Sequence, residues 1–377
     1  MIQEYFNSPS ENFIKFYENL AQSSFGKNID VFGFSENDLS NLDKYDIAIF
    51  YLNDVKESES VIKRIYSLEY GNWNLKILDL GVFKKGNEKS DNLFAIKSII
   101  NKLSNYNIFS IIVGGQQSDV NLLCKSLGKD FINVVSVDKN IGIGELEESN
   151  GSSNYLSKLI VDDEIQLNNF SNIGFLKHTN NFKQVELIEK FNFEALSLGQ
   201  IRADIGEVEP ITRNSTIINF SLESLQSSII NYKLTSPNGL SAHEACIITK
   251  MSGQSIDSKI VAFNNIKQTL ECHAIVSEML WYCIEGFNNR YNENFNNLND
   301  FKIYHTEVDG HNLKFLKNNL TQRWWIEYVD DSVIKINKDF IPCSEKDFLE
   351  SKKGIISDRI LKRMRNMFAW FNSKLYF

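Results

Sequence analysis

The chain has 377 residues, 42% of them hydrophobic and 12% aromatic, enough for one large α/β domain with an appendage or for two domains. A formal charge of -8 argues against the molecule as a whole binding nucleic acid, without excluding a local basic patch. No basic stretch followed by an apolar one opens the chain, and no run of about eighteen apolar residues occurs, so the reading is a cytoplasmic protein with no transmembrane segment.

Ser8-Pro9-Ser10-Glu11 predicts a first helix from Ser8 to Glu18, with Ser8 as cap and Pro9 at the first position. Apolar runs predict strands at Ile47 to Leu52 and Leu75 to Leu80, and a helical pattern covers Asn92 to Leu103. Strand and helix keep alternating: strand Phe109 to Val113, helix Val120 to Leu127, strand Asn133 to Asp138, strand Ile173 to Leu176, a helix near Gln184 to Phe193, and strand Thr216 to Phe220. Helix Ala242 to Met251, strand Lys259 to Phe263 and helix Leu270 to Asn288 complete it, as a parallel sheet covered on both faces requires. The Asn-rich piece Asn288 to Asn299 is the best boundary, dividing 1–295 from a β-rich appendage at 296–350, with short strands at Leu313 to Leu316, Arg323 to Tyr328 and Val333 to Ile336. In residues 351–377, Arg359, Lys362, Arg363 and Arg365 interleave with apolar residues including Phe368, Trp370 and Phe371, a basic amphipathic tail helix. That helix suits docking on its own domain, on a partner or on an anionic surface. The cysteines, Cys124, Cys246, Cys272, Cys283 and Cys343, are scattered and odd in number, which reads as buried free thiols.

A strand, Ile111-Ile112-Val113, runs into Gly114-Gly115 and then into the polar residues Gln116-Gln117-Ser118-Asp119. Either a tight turn or a ligand site satisfies this pattern, since ligands of open α/β sheets sit beyond the carboxyl ends of strands.

The stretch resembles the Gly-Gly-Asp-His-Ser motif of the ureohydrolases (arginase, agmatinase, formimidoylglutamase), with Gln116 and Gln117 in place of the acid and the histidine. Asp138-Lys139-Asn140-Ile141-Gly142 resembles Asp-Ala-His-x-Asp, retaining Asp138 but replacing a histidine by Asn140 and an aspartate by Gly142. Phe220-Ser221-Leu222-Glu223 resembles Phe-Asp-x-Asp, with Ser221 for one aspartate and Glu223 for the other; Lys267 matches a substrate-binding glutamate. Framework stretches such as Asn169-Phe170-Ser171-Asn172-Ile173-Gly174, Ser236-Pro237-Asn238-Gly239-Leu240 and Arg323-Trp324-Trp325 are similar to the formimidoylglutamase and arginase-like branch, over roughly residues 5 to 350.

The resemblance implies a three-layer α/β/α sandwich with a mostly parallel sheet, plus a small C-terminal β appendage and terminal helix. It implies two manganese ions that make hydroxide from a bridging water, and assembly as trimers or hexamers. Here the ligand positions are mostly replaced, so the expectation is no cofactor and a catalytically inactive fold serving as a binding or scaffolding subunit. The resemblance points to type IX secretion and gliding machinery as the partner. Lys267 beside Asp138 and Glu223 would supply charge once supplied by metals. The alternatives are a residual C-N hydrolase on an amidino or formimino group, and a metal-free sensor binding a guanidino or amide ligand through Gln116, Gln117, Asn140 and Glu223.

Overall fold

The computed structural model describes residues 2–34, 42–128, 131–145, 154–233, 235–329 and 338–374. Nine strands make the large sheet: β1 Asp30–Val31, β2 Ile47–Tyr51, β3 Ile77–Val82, β4 Phe109–Val113, β5 Ile132–Val137, β6 Leu167–Phe175, β7 Glu194–Ser197, β8 Ile217–Ser221 and β9 Ile260–Asn264. They run in the order β1-β3-β2-β4-β9-β8-β5-β6-β7, and all eight neighbouring pairs are parallel.

Strands buried on both faces need apolar residues in both registers, and β2 supplies them: Ile47, Ile49 and Tyr51 face one core, Ala48 and Phe50 the other. The first core is closed by the helices Val55–Tyr66, Ala242–Gln254 and Leu270–Asn288, the second by Lys89–Asn105, Val120–Ser126 and Tyr155–Val161. The result is the expected three-layer α/β/α sandwich. Gly253 and Gly286 let two helices of the first layer touch: a Cβ on Gly253 would stand 2.0 Å from the Cys283 carbonyl oxygen. All five cysteines are buried and free.

The first helix starts later than the sequence pattern suggested, at Glu11, because Ser10 and not Ser8 caps it: Ser10 Oγ accepts from the Phe13 N–H at 3.2 Å. Pro9 therefore lies before the cap.

The small C-terminal sheet is an antiparallel meander of β10 Phe301–Val308, β11 His311–Asn318, β12 Trp324–Val329 and β13 Lys338–Cys343. The expected strand Val333 to Ile336 lies outside the described residues. Arg213, at the end of the helix Glu209–Arg213 that precedes β8, ties that helix to the small sheet. Buried beside Glu209, its guanidinium donates to the Trp324 carbonyl at 2.7 Å and lies 4.5 Å from the Trp325 ring centroid.

The helix Asp358–Lys374 packs back on the chain itself. Arg359 reaches Glu194 at 2.7 Å, Glu207 at 3.0 Å and Asp347 at 3.1 Å, and Lys362 pairs with Glu189 at 2.7 Å and Asp358 at 2.8 Å. Arg359, Lys362 and Arg363 are buried, so three of the cations expected to meet a partner face their own domain; Arg365 alone of the four is exposed. The side chains of Phe368, Trp370 and Phe371 lie outside the described residues.

Candidate functional site

The loops that follow β4, β5, β8 and β9 gather at the carboxyl edge of the large sheet, where the chain leaves β4 and crosses β9 and β8 to enter β5. Beyond β4, Gly114 and Gly115 both take left-handed φ values, +105° and +82°, and their carbonyl and N–H groups tie this loop to its neighbours. The Gly115 N–H donates to Asn53 Oδ1 at 3.0 Å, and the Asn265 N–H donates to the Gly115 carbonyl at 3.0 Å. Of the two readings the sequence allows, the tight turn is what these hydrogen bonds describe.

The turn drives Gln117 inward until it is fully buried, while Gln116 stays exposed outside the cluster. Gln117 Nε2 donates to Ser136 Oγ at 2.7 Å, and the same hydroxyl accepts from Tyr155 OH at 2.8 Å. Gln117 Oε1 has no hydrogen-bond partner among the described residues, nor have Asn172 Oδ1 and Asn264 Oδ1 nearby in the fold.

Tyr155, the first residue of the helix Tyr155–Val161, borders the same cluster. Gly142 has φ +79°, and a Cβ added there would meet Tyr155 Cε1 at 2.0 Å. The ring therefore takes the space that any side chain on residue 142 would enter.

Asp138, directly after β5, is 4% exposed, and its Oδ1 accepts from the Asn140 N–H at 3.0 Å. Asn140 takes part through its backbone on the other side too, its carbonyl accepting from Asn172 Nδ2 at 3.1 Å. Burial, and to a lesser degree the charge of Glu223, push the Asp138 carboxyl up to about 7 against the pull of the Asn140 N–H and Lys139.

Glu223 stands in the short turn Leu222–Ser224 that caps β8, and Ser221 Oγ accepts its N–H at 3.4 Å. Asn265 Nδ2 also donates to Ser221, at 3.0 Å. Two ammonium groups hold Glu223: Lys267 Nζ at 2.6 Å from Oε1 and Lys139 Nζ at 3.4 Å from Oε2. Burial opposes ionisation of Glu223, but the two lysines together hold its carboxyl below the ordinary glutamate range. Lys267 also lies 4.7 Å from the Tyr232 ring centroid.

Asp138, Asn140, Ser221, Glu223 and Lys267 are thus brought to one edge, with Gln117 beneath them. Lys267 serves Glu223, as the sequence suggested, whereas the cation acting on Asp138 is Lys139. Among the described residues no three His, Cys, Asp or Glu side chains form a metal-ligand group. His273, the buried histidine, is engaged elsewhere, its Nδ1 2.8 Å from Ser60 Oγ.

Solved structures of three proteins share this architecture. A formiminoglutamase of Trypanosoma cruzi, in a crystal structure with Mn2+, aligns with a TM-score of 0.59 and 14% identity over 67% of this chain and 96% of its own. The formimidoylglutamase of Bacillus subtilis gives 0.57 and 15% over 75% and 100%, and the agmatine ureohydrolase of Thermoplasma volcanium 0.54 and 13% over 66% and 93%. No protein-family profile and no curated protein matches the chain. Likeness at this level establishes an arginase-like, ureohydrolase fold, and fold alone does not carry chemistry.

Proposed function

We propose that this arginase-like chain has given up binuclear metal chemistry and acts as a binding or scaffolding subunit. The observation that carries the reading is Glu223 held between Lys267 and Lys139. Two divalent cations need a set of carboxylates and imidazoles free to coordinate them. Here Glu223 is already neutralised by two ammonium groups, Gln117 Nε2 is committed to Ser136, and the Tyr155 ring fills the space beside Gly142. The residues do not fit a pair of metal ions, and no hydrolytic step is derived through them.

The test is hydrolysis itself. Purified protein in manganese buffer is given N-formimidoylglutamate, arginine and agmatine, and formamide and urea are measured. No release above buffer is expected. Turnover lost in the Asp138→Ala variant would overturn the reading.

The burial of Asp138 at the end of β5, which pushes its carboxyl up to about 7, favours a residual C-N hydrolase as second reading, since a general base is most useful near that value. That reading requires Asp138-dependent release from the same substrates.

The proposed partner is a protein. Secretion and gliding components are the finer expectation, resting on the sequence resemblance. Of Arg359, Lys362, Arg363 and Arg365, the exposed Arg365 is the one left to meet such a partner. On this reading Arg365→Glu abolishes capture of such a component and leaves the fold intact; unchanged capture would remove the tail helix from the account.

A further inference from the structure

The amino edge of the large sheet, opposite the cluster just described, carries a second polar site. Asn133, Asn168, Asn169, Asn214 and Asn366 line a cavity of about 270 Å3 between the starts of β5, β6 and β8, the strand β13 and the C-terminal helix. The amides satisfy one another in part. Asn168 Nδ2 donates to Asn133 Oδ1 at 2.8 Å, Asn133 Nδ2 to the Asn214 carbonyl at 2.8 Å, and Asn366 Nδ2 to Asn169 Oδ1 at 3.4 Å and the Asn192 carbonyl at 3.2 Å. The Asn214 side chain and the Asn169 amide nitrogen make no hydrogen bond among the described residues.

Arg363 forms part of the same wall and is the unusual member. It is 8% exposed, yet its guanidinium makes no hydrogen bond of 3.5 Å or less among the described residues. Its carboxylate neighbour, Glu194 Oε2, is 3.6 Å away. The other Glu194 oxygen is taken by Arg359 at 2.7 Å. A guanidinium offers five N–H donors, and the Glu194 ion pair at 3.6 Å leaves some of those of Arg363 available to a ligand in the cavity. Burial lowers the hold of Arg363 on its proton, Glu194 raises it, and the adjacent Arg359 lowers it.

We infer that this cavity is a binding site for a small organic monocarboxylate. A guanidinium fork matches a carboxylate with two parallel hydrogen bonds, and the spare amides of Asn169 and Asn214 offer further polar contacts. Phe131, at the exposed mouth, and Phe340 give apolar wall for the rest of the molecule. One guanidinium beside Glu194 favours a single negative charge over a phosphate dianion. Among the described lining residues none is a Ser, Cys, His, Asp or Glu, so none of them offers a nucleophile or a general base to the ligand. Its occupant would touch the main sheet, β13 and the C-terminal helix together, coupling the docking of that helix to ligand concentration.

The test uses the full chain with acetate, propionate and benzoate as probes, and benzamide and inorganic phosphate as controls, read by calorimetric titration and thermal unfolding. At least one monocarboxylate binds saturably and raises the unfolding temperature, benzamide and phosphate do not, and Arg363→Met weakens binding by about tenfold or more. Asn214→Leu, which narrows the cavity, removes one of its free amides and leaves the guanidinium in place, also weakens binding and covers the case of a misfolded Arg363 variant. No binding by any of the three carboxylates, equal binding of benzamide or phosphate, or unchanged binding in Asn214→Leu overturns the inference.

Discussion

Lys267 Nζ lies 2.6 Å from Glu223 Oε1, across the gap between the loops that follow β9 and β8. With Lys139 on the other oxygen, the pair makes a closed charge group at the edge where ligands of α/β sheets are ordinarily received. Charge-assisted hydrogen bonds of this kind tie loops together, and they leave the carboxylate little capacity for another cation.

Removing one ammonium measures that tie. Lys267→Met is expected to destabilise the protein by about 1 to 3 kcal/mol at pH 7 in denaturant unfolding, because Lys139 retains half of the pairing. Glu223 ionises more readily folded than unfolded, so its contribution is present above the ordinary value of 4.5 and is lost as pH falls through its lower folded value. In Lys267→Met the acid limb of the stability curve moves to higher pH. An unmoved limb would mean the pair contributes nothing.

Asp138 behaves oppositely. It titrates at about 7 in the fold against 3.8 as a free side chain, so between those values the unfolded chain has lost a proton that the folded chain keeps. Stability from this group is complete at low pH, falls as pH rises through the window, and stays reduced above it. Asp138→Asn removes that loss and is expected to stabilise by roughly 2 to 4 kcal/mol at pH 8, with a smaller gain at pH 5. Equal gains at both pH values would contradict the assignment.

Gly142 and Tyr155 predict a steric result. Gly142→Ala must place a methyl group against the Tyr155 ring at a φ of +79°, and about 2 to 5 kcal/mol of stability should be lost in thermal unfolding. In a Tyr155→Ala background the same substitution should cost less. Equal cost in both backgrounds would place the strain in the backbone alone.

The C-terminal helix hangs on Arg359. Arg359→Met leaves Glu194, Glu207 and Asp347 without their shared cation and is expected to cost about 3 to 5 kcal/mol, with faster proteolysis of residues 351–374. Arg365→Ala, at an exposed position, should stay within about 0.5 kcal/mol of wild type.

The large sheet was legible because its strands are apolar on both faces: β2, β4 and β9 read as unbroken buried runs. The strand β7 escapes the sequence pattern because it is four residues at a sheet edge, and β10 because polar residues on both its faces, Lys302 and Thr306 on one, His305 and Glu307 on the other, break its apolar alternation. At the site, motif spacing was enough to place Gln117, Asp138, Ser221 and Glu223 at strand ends. It could not show that Gln116 turns outward, which is decided by the two left-handed glycines before it. Lys139, adjacent to the retained Asp138, is a cation that the sequence places at the site. The stretch around Tyr155 resembles the family, but its contact with Gly142, thirteen residues earlier, follows from no local pattern. The sequence pattern predicts a helix in the tail, and residues 358–374 form one, but three of its cations, Arg359, Lys362 and Arg363, are buried. The acids that claim them, Glu189, Glu194, Glu207 and Asp347, lie in three distant segments that sequence pattern does not link.

Manganese content tests the central claim most directly. Protein purified with manganese in the buffer, and the Asp138→Ala variant prepared alongside it, are compared by elemental analysis after exhaustive dialysis. The account predicts far less than one equivalent in both samples and no difference between them. Two equivalents in the wild type, lost in the variant, would show that Asp138 holds a metal centre and that the chain belongs among the working hydrolases of its fold.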